Sequence, residues 1–200
     1  LGHSFYLFPP DTPVIRWIYG FHMPLFFFIS GYLLRHVHGD LRDLRLTGSR
    51  GYLTRKARRL LVPYAVISSL FFVPKAFFSR YSVRPIHLDL HDYLDQLLVP
   101  YHNVFGAYWF MPTLFLIFTV FTIARKAWGR HQAPLGGILA LAALALVNCL
   151  MPFTRDSVLN VAGVAFYMVY FTAGYLYRGS RLEQAVKKAK PTGIVIMTLA

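Results

Sequence analysis

The stretch Phe21–Leu34 reads F-H-M-P-L-F-F-F-I-S-G-Y-L-L and lies in an apolar run from Ile15 to Leu34. That run is about the length a helix needs to cross a bilayer. It nevertheless holds His22, whose ring titrates near neutral pH, and Pro24, a helix breaker. Lipid penalises both unless neighbouring helices satisfy them. The stretch therefore predicts a membrane helix that lines a site rather than a plain anchor.

Four further segments have the same character: Leu60–Phe78, Tyr108–Ala124, Leu135–Met151 and Val158–Tyr177. A sixth begins near Gly193. None shows the alternation of a membrane barrel, and lipid-exposed backbone must bond within its own segment. The expected fold is all-α, a polytopic transmembrane helix bundle with five complete spans and the start of a sixth. Residues 1–200 form a single membrane-embedded domain in this reading. Composition agrees, because 14% charged residues are too few to cover the surface of a soluble domain of 200 residues. Leu135–Leu150 is rich in Ala, Leu and Gly, which suits close helix packing. The lone cysteine, Cys149, excludes an intrachain disulfide.

Net charge is +13, a balance that can signal nucleic acid. Placement argues otherwise. Residues 35–59 hold eight Lys/Arg, 125–134 hold three and 178–190 hold five, which is 16 of the 21. The intervening loops, 3–14, 79–107 and 152–157, hold only Arg80, Arg84 and Arg155. The positive-inside rule puts the first set in the cytoplasm and leaves His3 and the 79–107 loop outside. The expected partner is the lipid bilayer of the cell (inner or plasma) membrane, with no nucleic acid.

Several residues invite chemistry. His3 sits at an outer membrane boundary, where it is either an exposed loop histidine or a general base. His22 lies about 10 Å into its span at 1.5 Å per residue, with Phe26 and Ser30 continuing its face. Gly31 allows a close helix approach. His22 either serves a site or bonds a nearby carbonyl. Arg55, Lys56, Arg58 and Arg59 share one helical face at the inner surface. Such a patch grips phosphates bidentately or contacts anionic lipid. Trp109, in the Tyr108–Phe115 block, is an interface residue or the wall of a substrate cleft.

The 79–107 loop pairs His87 with His91 at zinc-ligand spacing, and His87 with Asp92 at an H-x4-D spacing seen in soluble glycerolipid acyltransferases. Its leucines, Leu88, Leu90, Leu94, Leu97 and Leu98, read more simply as an amphipathic surface helix. Nucleotide loops, serine-hydrolase elbows and CxxC pairs are missing from the sequence.

Four blocks, taken in order, resemble the membrane acyltransferase 3 family, especially its fucose 4-O-acetylase-like branch. Gly2-His3-Ser4 is similar to the G-H-S that closes the family's first span. Phe21–Leu34 is similar to its F-H-M-P-L-F-F-F-I-S-G-Y block. Arg59–Tyr64 resembles R-L-L-x-P-Y, and Trp109–Phe115 resembles W-F-L-P-x-L-F with Met111 in place of Leu. The resemblance implies transfer of an acyl group, commonly acetyl from acetyl-CoA, to a sugar hydroxyl of an envelope glycan. It implies His3 as the catalytic residue, with His22, Ser30 and Trp109 supporting the acceptor side. Arg55, Arg58 and Arg59 would hold the acyl-CoA. No metal and no bound cofactor are implied. Leu1 is not Met and the chain stops inside an apolar run, so a fragment of a longer protein is expected. The family's first-span Arg would lie upstream. Pro24 and Pro112, read as breaks in their spans, keep a transporter or flippase-like carrier open as the alternative. A subunit without chemistry is the other.

Overall fold

A computed structural model describes residues 13–39, 41, 44–48, 51–79, 86–103, 106–127, 143, 146, 150 and 157–188. Every element among the described residues is helical. The helices are α1 (Pro13–His38), α2 (Tyr52–Phe77), α3 (Leu90–Leu98), α4 (Phe110–Ala127), α5 (Val161–Tyr177) and α6 (Arg181–Lys188). Single 3-10 turns lie at Pro100–His102, Gly106–Trp109 and Val158–Asn160. Nearly all of the expected Leu135–Met151 span and all of the sixth lie outside the described residues.

The chain divides into two compact units, 1–39 with 170–200, and 40–169. In the first, α1 starts on Pro13, whose missing N–H belongs where helices have no acceptor. It ends on Arg35, His36 and His38, cations that suit the negative end of the helix dipole. Gly39 then takes φ +58, and its N–H bonds the Arg35 carbonyl at 2.9 Å. Pro24 sits inside α1, and the helix runs through it unbroken. Gly31 lies against the Phe171 carbonyl and Gly174 against the Phe28 carbonyl, and a Cβ on either glycine would collide with that backbone. The close approach expected at Gly31 is thus made, with Gly174 as its counterpart. Phe27, Leu34, Phe171 and Tyr175 fill the core around it.

An apolar stripe that winds along α1 is left bare. Trp17, Phe21, Leu25, Ile29, Leu33 and Val37, each four residues after the last, are all exposed. Twenty residues of helix cover about 30 Å, the thickness of a bilayer's hydrocarbon.

In the second unit α2 packs on α4. Tyr52 meets Phe118 edge-on, with ring centroids 6.1 Å apart, and Leu114 and Ile117 are buried beside them. α2 begins eight residues before the expected span, so the whole basic cluster is helical. Val62, Val66, Leu70, Val73 and Phe77 form its exposed apolar side. Pro112 falls in the first turn of α4, where its ring is tolerated and opens nothing. The breaks expected at Pro24 and Pro112 are therefore corrected to continuous helix.

α3 is the amphipathic helix that the leucine spacing predicts, with Leu90, Leu94 and Leu98 exposed along one side. Asp89 caps it by accepting from the Asp92 N–H at 2.7 Å, and the Asp92 carboxylate accepts from the His87 N–H at 2.7 Å.

Among the described residues two helices, Tyr52–Phe77 and Val158–Tyr177, are long and apolar enough to cross a membrane by length and composition.

Candidate functional site

The cationic patch is built by the first two turns of α2. Gly51 precedes the helix without a side-chain cap. The amides of Tyr52 and Leu53 are instead taken by the Arg45 and Leu46 carbonyls, at 2.7 and 2.9 Å. The backbone donors that usually draw anions to a helix start are thus occupied. Arg55, Arg58 and Arg59 are exposed on these turns, and no acidic residue stands in the first turn. Arg55 closes the first turn, where a cation opposes the helix dipole, and Arg58 and Arg59 lie a turn further on. The patch suits an anionic partner, a phosphate or a lipid headgroup alike. Lys56 leaves this group: its ammonium lies 4.0 Å from the Phe118 ring centroid and helps join α2 to α4.

His22 is half-buried, and its Nδ1 lies 3.0 Å from the Ile18 carbonyl one turn back. Ser30 donates its hydroxyl to the Phe26 carbonyl at 2.9 Å. Both bonds satisfy polar groups within α1 itself, as lipid requires. His3 lies outside the described residues.

Trp109 ends the turn before α4. Its ring stacks on Tyr101 at 5.1 Å and meets Tyr167 at 5.3 Å. It is therefore the centre of an aromatic ladder rather than a lone interface residue. The signal missed in the sequence is the Tyr-His-Asn run at 101–103, whose aromatic member faces Trp109.

In the 87–98 segment the bonds that the structure shows are those of a helix cap. Asp92 is bonded by the backbone N–H of His87, not by its ring. That bond, with the neighbouring His91 ring, holds the Asp92 carboxyl below the usual carboxylate range. The ligand atoms of Asp89, His91 and Asp92 lie within 4.8 Å of one another. Two of the carboxylate oxygens there are already committed to capping.

One cluster was not foreseen. Ser180 caps α6 by accepting from the Glu183 N–H at 3.2 Å, while its own N–H donates to the Tyr177 carbonyl at 3.0 Å. The Glu183 carboxylate, buried, accepts from the Gly179 N–H at 2.5 Å, Lys187 at 2.9 Å, Tyr32 at 2.9 Å and Arg178 at 3.0 Å. The Gly179 amide and the Lys187 ammonium hold its carboxyl far below the ordinary range. Arg35 caps the end of α5 by donating to the Tyr175 carbonyl at 3.1 Å.

Two helices long and apolar enough to cross a membrane, with apolar residues left exposed, point to the class of α-helical membrane proteins. The chain belongs to the acyltransferase 3 family, whose description is acyltransferase domain and which matches residues 1–200. Searches of curated proteins and of solved structures return no match.

Proposed function

We propose that this chain is an integral membrane O-acyltransferase that moves an acyl group, acetyl in the first instance, from acyl-CoA to a hydroxyl of a sugar or envelope glycan. The family match along all of residues 1–200 carries the reaction class. The motif likeness to the fucose 4-O-acetylase-like branch supports the sugar acceptor. The exposed Arg55, Arg58 and Arg59 support a donor rich in phosphate.

In this reading five spans cross the plasma membrane, and loops 35–59, 125–134 and 178–190 face the cytoplasm, where CoA is found. The arginines bind the phosphates of CoA while its acyl arm enters the bundle. His3, neutral, takes the proton of the acceptor hydroxyl. The hydroxyl oxygen attacks the thioester carbonyl, the C–O ester bond forms and the C–S bond breaks. The thiolate leaves and takes up a proton as free CoA. His22, Ser30 and Trp109 take supporting roles toward the acceptor in this reading, which calls on neither metal nor bound cofactor.

The test uses membranes holding the full-length protein and acetyl-CoA labelled in its acetyl group. Label is expected in lipid-linked or polymeric glycan. His3→Ala abolishes it while membrane insertion stays normal. Arg59→Ala raises the KM for acetyl-CoA about three- to tenfold, the loss of one charge-assisted contact at an exposed site. Movement of a glycan without label on it would identify a carrier instead. An unchanged KM would remove the arginines from the donor site.

A further inference from the structure

α6 is a short helix with two different sides. Glu183, its buried residue, faces the first unit, where Tyr32 donates to it at 2.9 Å and Arg178 at 3.0 Å. The other residues of the helix are exposed. Leu182 and Val186, one turn apart, form an apolar row at 69% and 52% exposure. Arg181 and Lys188 stand seven residues apart, close to two full turns, and so form a second row beside the first. Lys187 is held by Glu183 at 2.9 Å. Arg181 and Lys188 make no ion pair among the described residues.

The helix stands where a membrane surface falls. α5, with the turn before it, is one of the two helices long and apolar enough to cross a bilayer, and it ends at Tyr177. Arg178, Gly179 and Ser180 alone separate it from α6, so α6 starts at most about 14 Å from that end. Gly179 takes φ +80, which stops one helix and lets the next leave its axis. The bonds of Glu183 and Arg178 then fix α6 beside the last turns of α1, because Tyr32 lies there and Arg178 Nε also donates to His36 Nδ1 at 3.3 Å. The bare stripe of α1 ends in those turns, at Val37, 68% exposed. The apolar row of α6 is thus held at the end of two apolar helices, where acyl chains give way to headgroups.

The two rows together narrow the partner. A free phosphate would satisfy Arg181 and Lys188 and leave Leu182 and Val186 in water. An acidic soluble protein would have to displace lipid from the end of α1 to reach them. An anionic phospholipid meets both rows at once: its phosphate takes the cations and the upper part of its acyl chains covers the aliphatics. We propose that α6 is an interfacial helix that docks on the anionic phospholipid headgroups of the leaflet on its side of the membrane, with Glu183 as the peg that holds it to the first unit. The docking rests on the membrane class of the chain and not on acyl transfer. It is separate from the Arg55, Arg58 and Arg59 patch, which belongs to the other unit.

The test follows α6 in lipid without any acyl donor. The full chain is reconstituted in nanodiscs of phosphatidylcholine alone, or of phosphatidylcholine and phosphatidylglycerol in equal parts. Hydrogen exchange of the amides of residues 181–188 is read by mass spectrometry. Exchange is expected to slow about tenfold in the anionic discs, the scale of two cations near an anionic surface. The difference is expected to vanish at about 1 M salt, where screening acts within about 3 Å. Arg181→Gln with Lys188→Gln is expected to exchange alike in both discs and, both side chains being exposed, to melt with the parent in phosphatidylcholine. Leu182→Ala with Val186→Ala keeps the cations and good helix formers, and is expected to lose most of the protection. Equal exchange of the parent in the two discs overturns the proposal, and so does full protection in either double variant. It falls equally if inorganic phosphate in phosphatidylcholine discs protects 181–188 as the anionic lipid does, since α6 would then be an anion site with no use for its aliphatic row. Should the glutamine pair melt early, Arg181→Lys with Lys188→Arg takes its place; it keeps both charges, so protection is expected to stay, and its loss is fatal. Acetyl transfer that fails while anionic discs still protect 181–188 removes the reaction and leaves the docking; the opposite result removes the docking alone.

Discussion

Glu183 and Gln96 are both buried and polar, one in each compact unit, and their surroundings treat them in opposite ways. The Glu183 carboxylate accepts from a backbone amide, a tyrosine, an arginine and a lysine. The Gln96 carboxamide bonds to nothing among the described residues. A carboxylate taken out of water must be paired, because the loss left by removing one partner is large. An unpaired amide is less costly. The comparison teaches where to look in a chain this apolar. Fully satisfied polar groups join helices, and unsatisfied ones stand out because burial costs them their water with no bond in return.

The largest test of the first half of that contrast lies at the glycines of the first unit. Gly174→Val would drive its side chain into the Phe28 carbonyl. Backbone cannot yield as a flexible side chain can, so a destabilisation of about 3 kcal/mol is expected. Thermal melting in detergent reads it. A variant that melts with the parent would show that close packing does not organise this unit, and the clamp at Glu183 would have to carry it alone.

The clamp itself is tested by pH. The Glu183 carboxyl titrates far below its ordinary 4.5 because the Gly179 amide, Lys187, Tyr32 and Arg178 favour its charged form. A depressed value means that the unfolded chain binds the proton first. The clamp's stability is therefore present above about pH 4.5 and lost progressively as pH falls below it. Glu183→Gln removes the charge at every pH. Its Tm is expected below the parent's at pH 6, with the gap narrowing steadily as pH falls below about 4.5. Parallel curves would show that this carboxylate contributes nothing and would erase the contrast with Gln96.

How much of this could be read in the sequence follows from what kind of signal each feature leaves. The helices are legible because apolar runs of bilayer length have few alternatives. The family is legible in four blocks that occur in order, and its match covers the whole chain. Gly31 is legible because a small residue beside Ser30 in a span predicts close approach. Pro24 and Pro112 were misleading: a proline in the first turn of a helix is harmless, and α1 continues through the other. The H-x4-D spacing was rightly set below the leucine pattern, since spacing alone does not say whether a ring or a backbone amide makes the bond. Glu183 and Gln96 were illegible, because their meaning depends on neighbours far away in the chain. Tyr32 reaches Glu183 across 151 residues, and Tyr64 reaches the Gln96 carbonyl across 32. The S-x-x-E spacing at Ser180–Glu183, by contrast, is a local pattern that the sequence displays and that the charge reading of the 178–190 loop passed over.

The smallest effect separates the two ends of α3. Its start is held by Asp89, which accepts from the Asp92 amide, and its last turns carry Asp95 and Gln96. Asp89→Ala removes the cap and is expected to lower stability by about 1 kcal/mol, whereas Asp89→Asn is expected to change it by no more than a few tenths. Neither substitution touches the amide end of the helix. Thermal melting in detergent reads both, and an Ala variant that melts with the parent would show that this cap does not hold the start of α3.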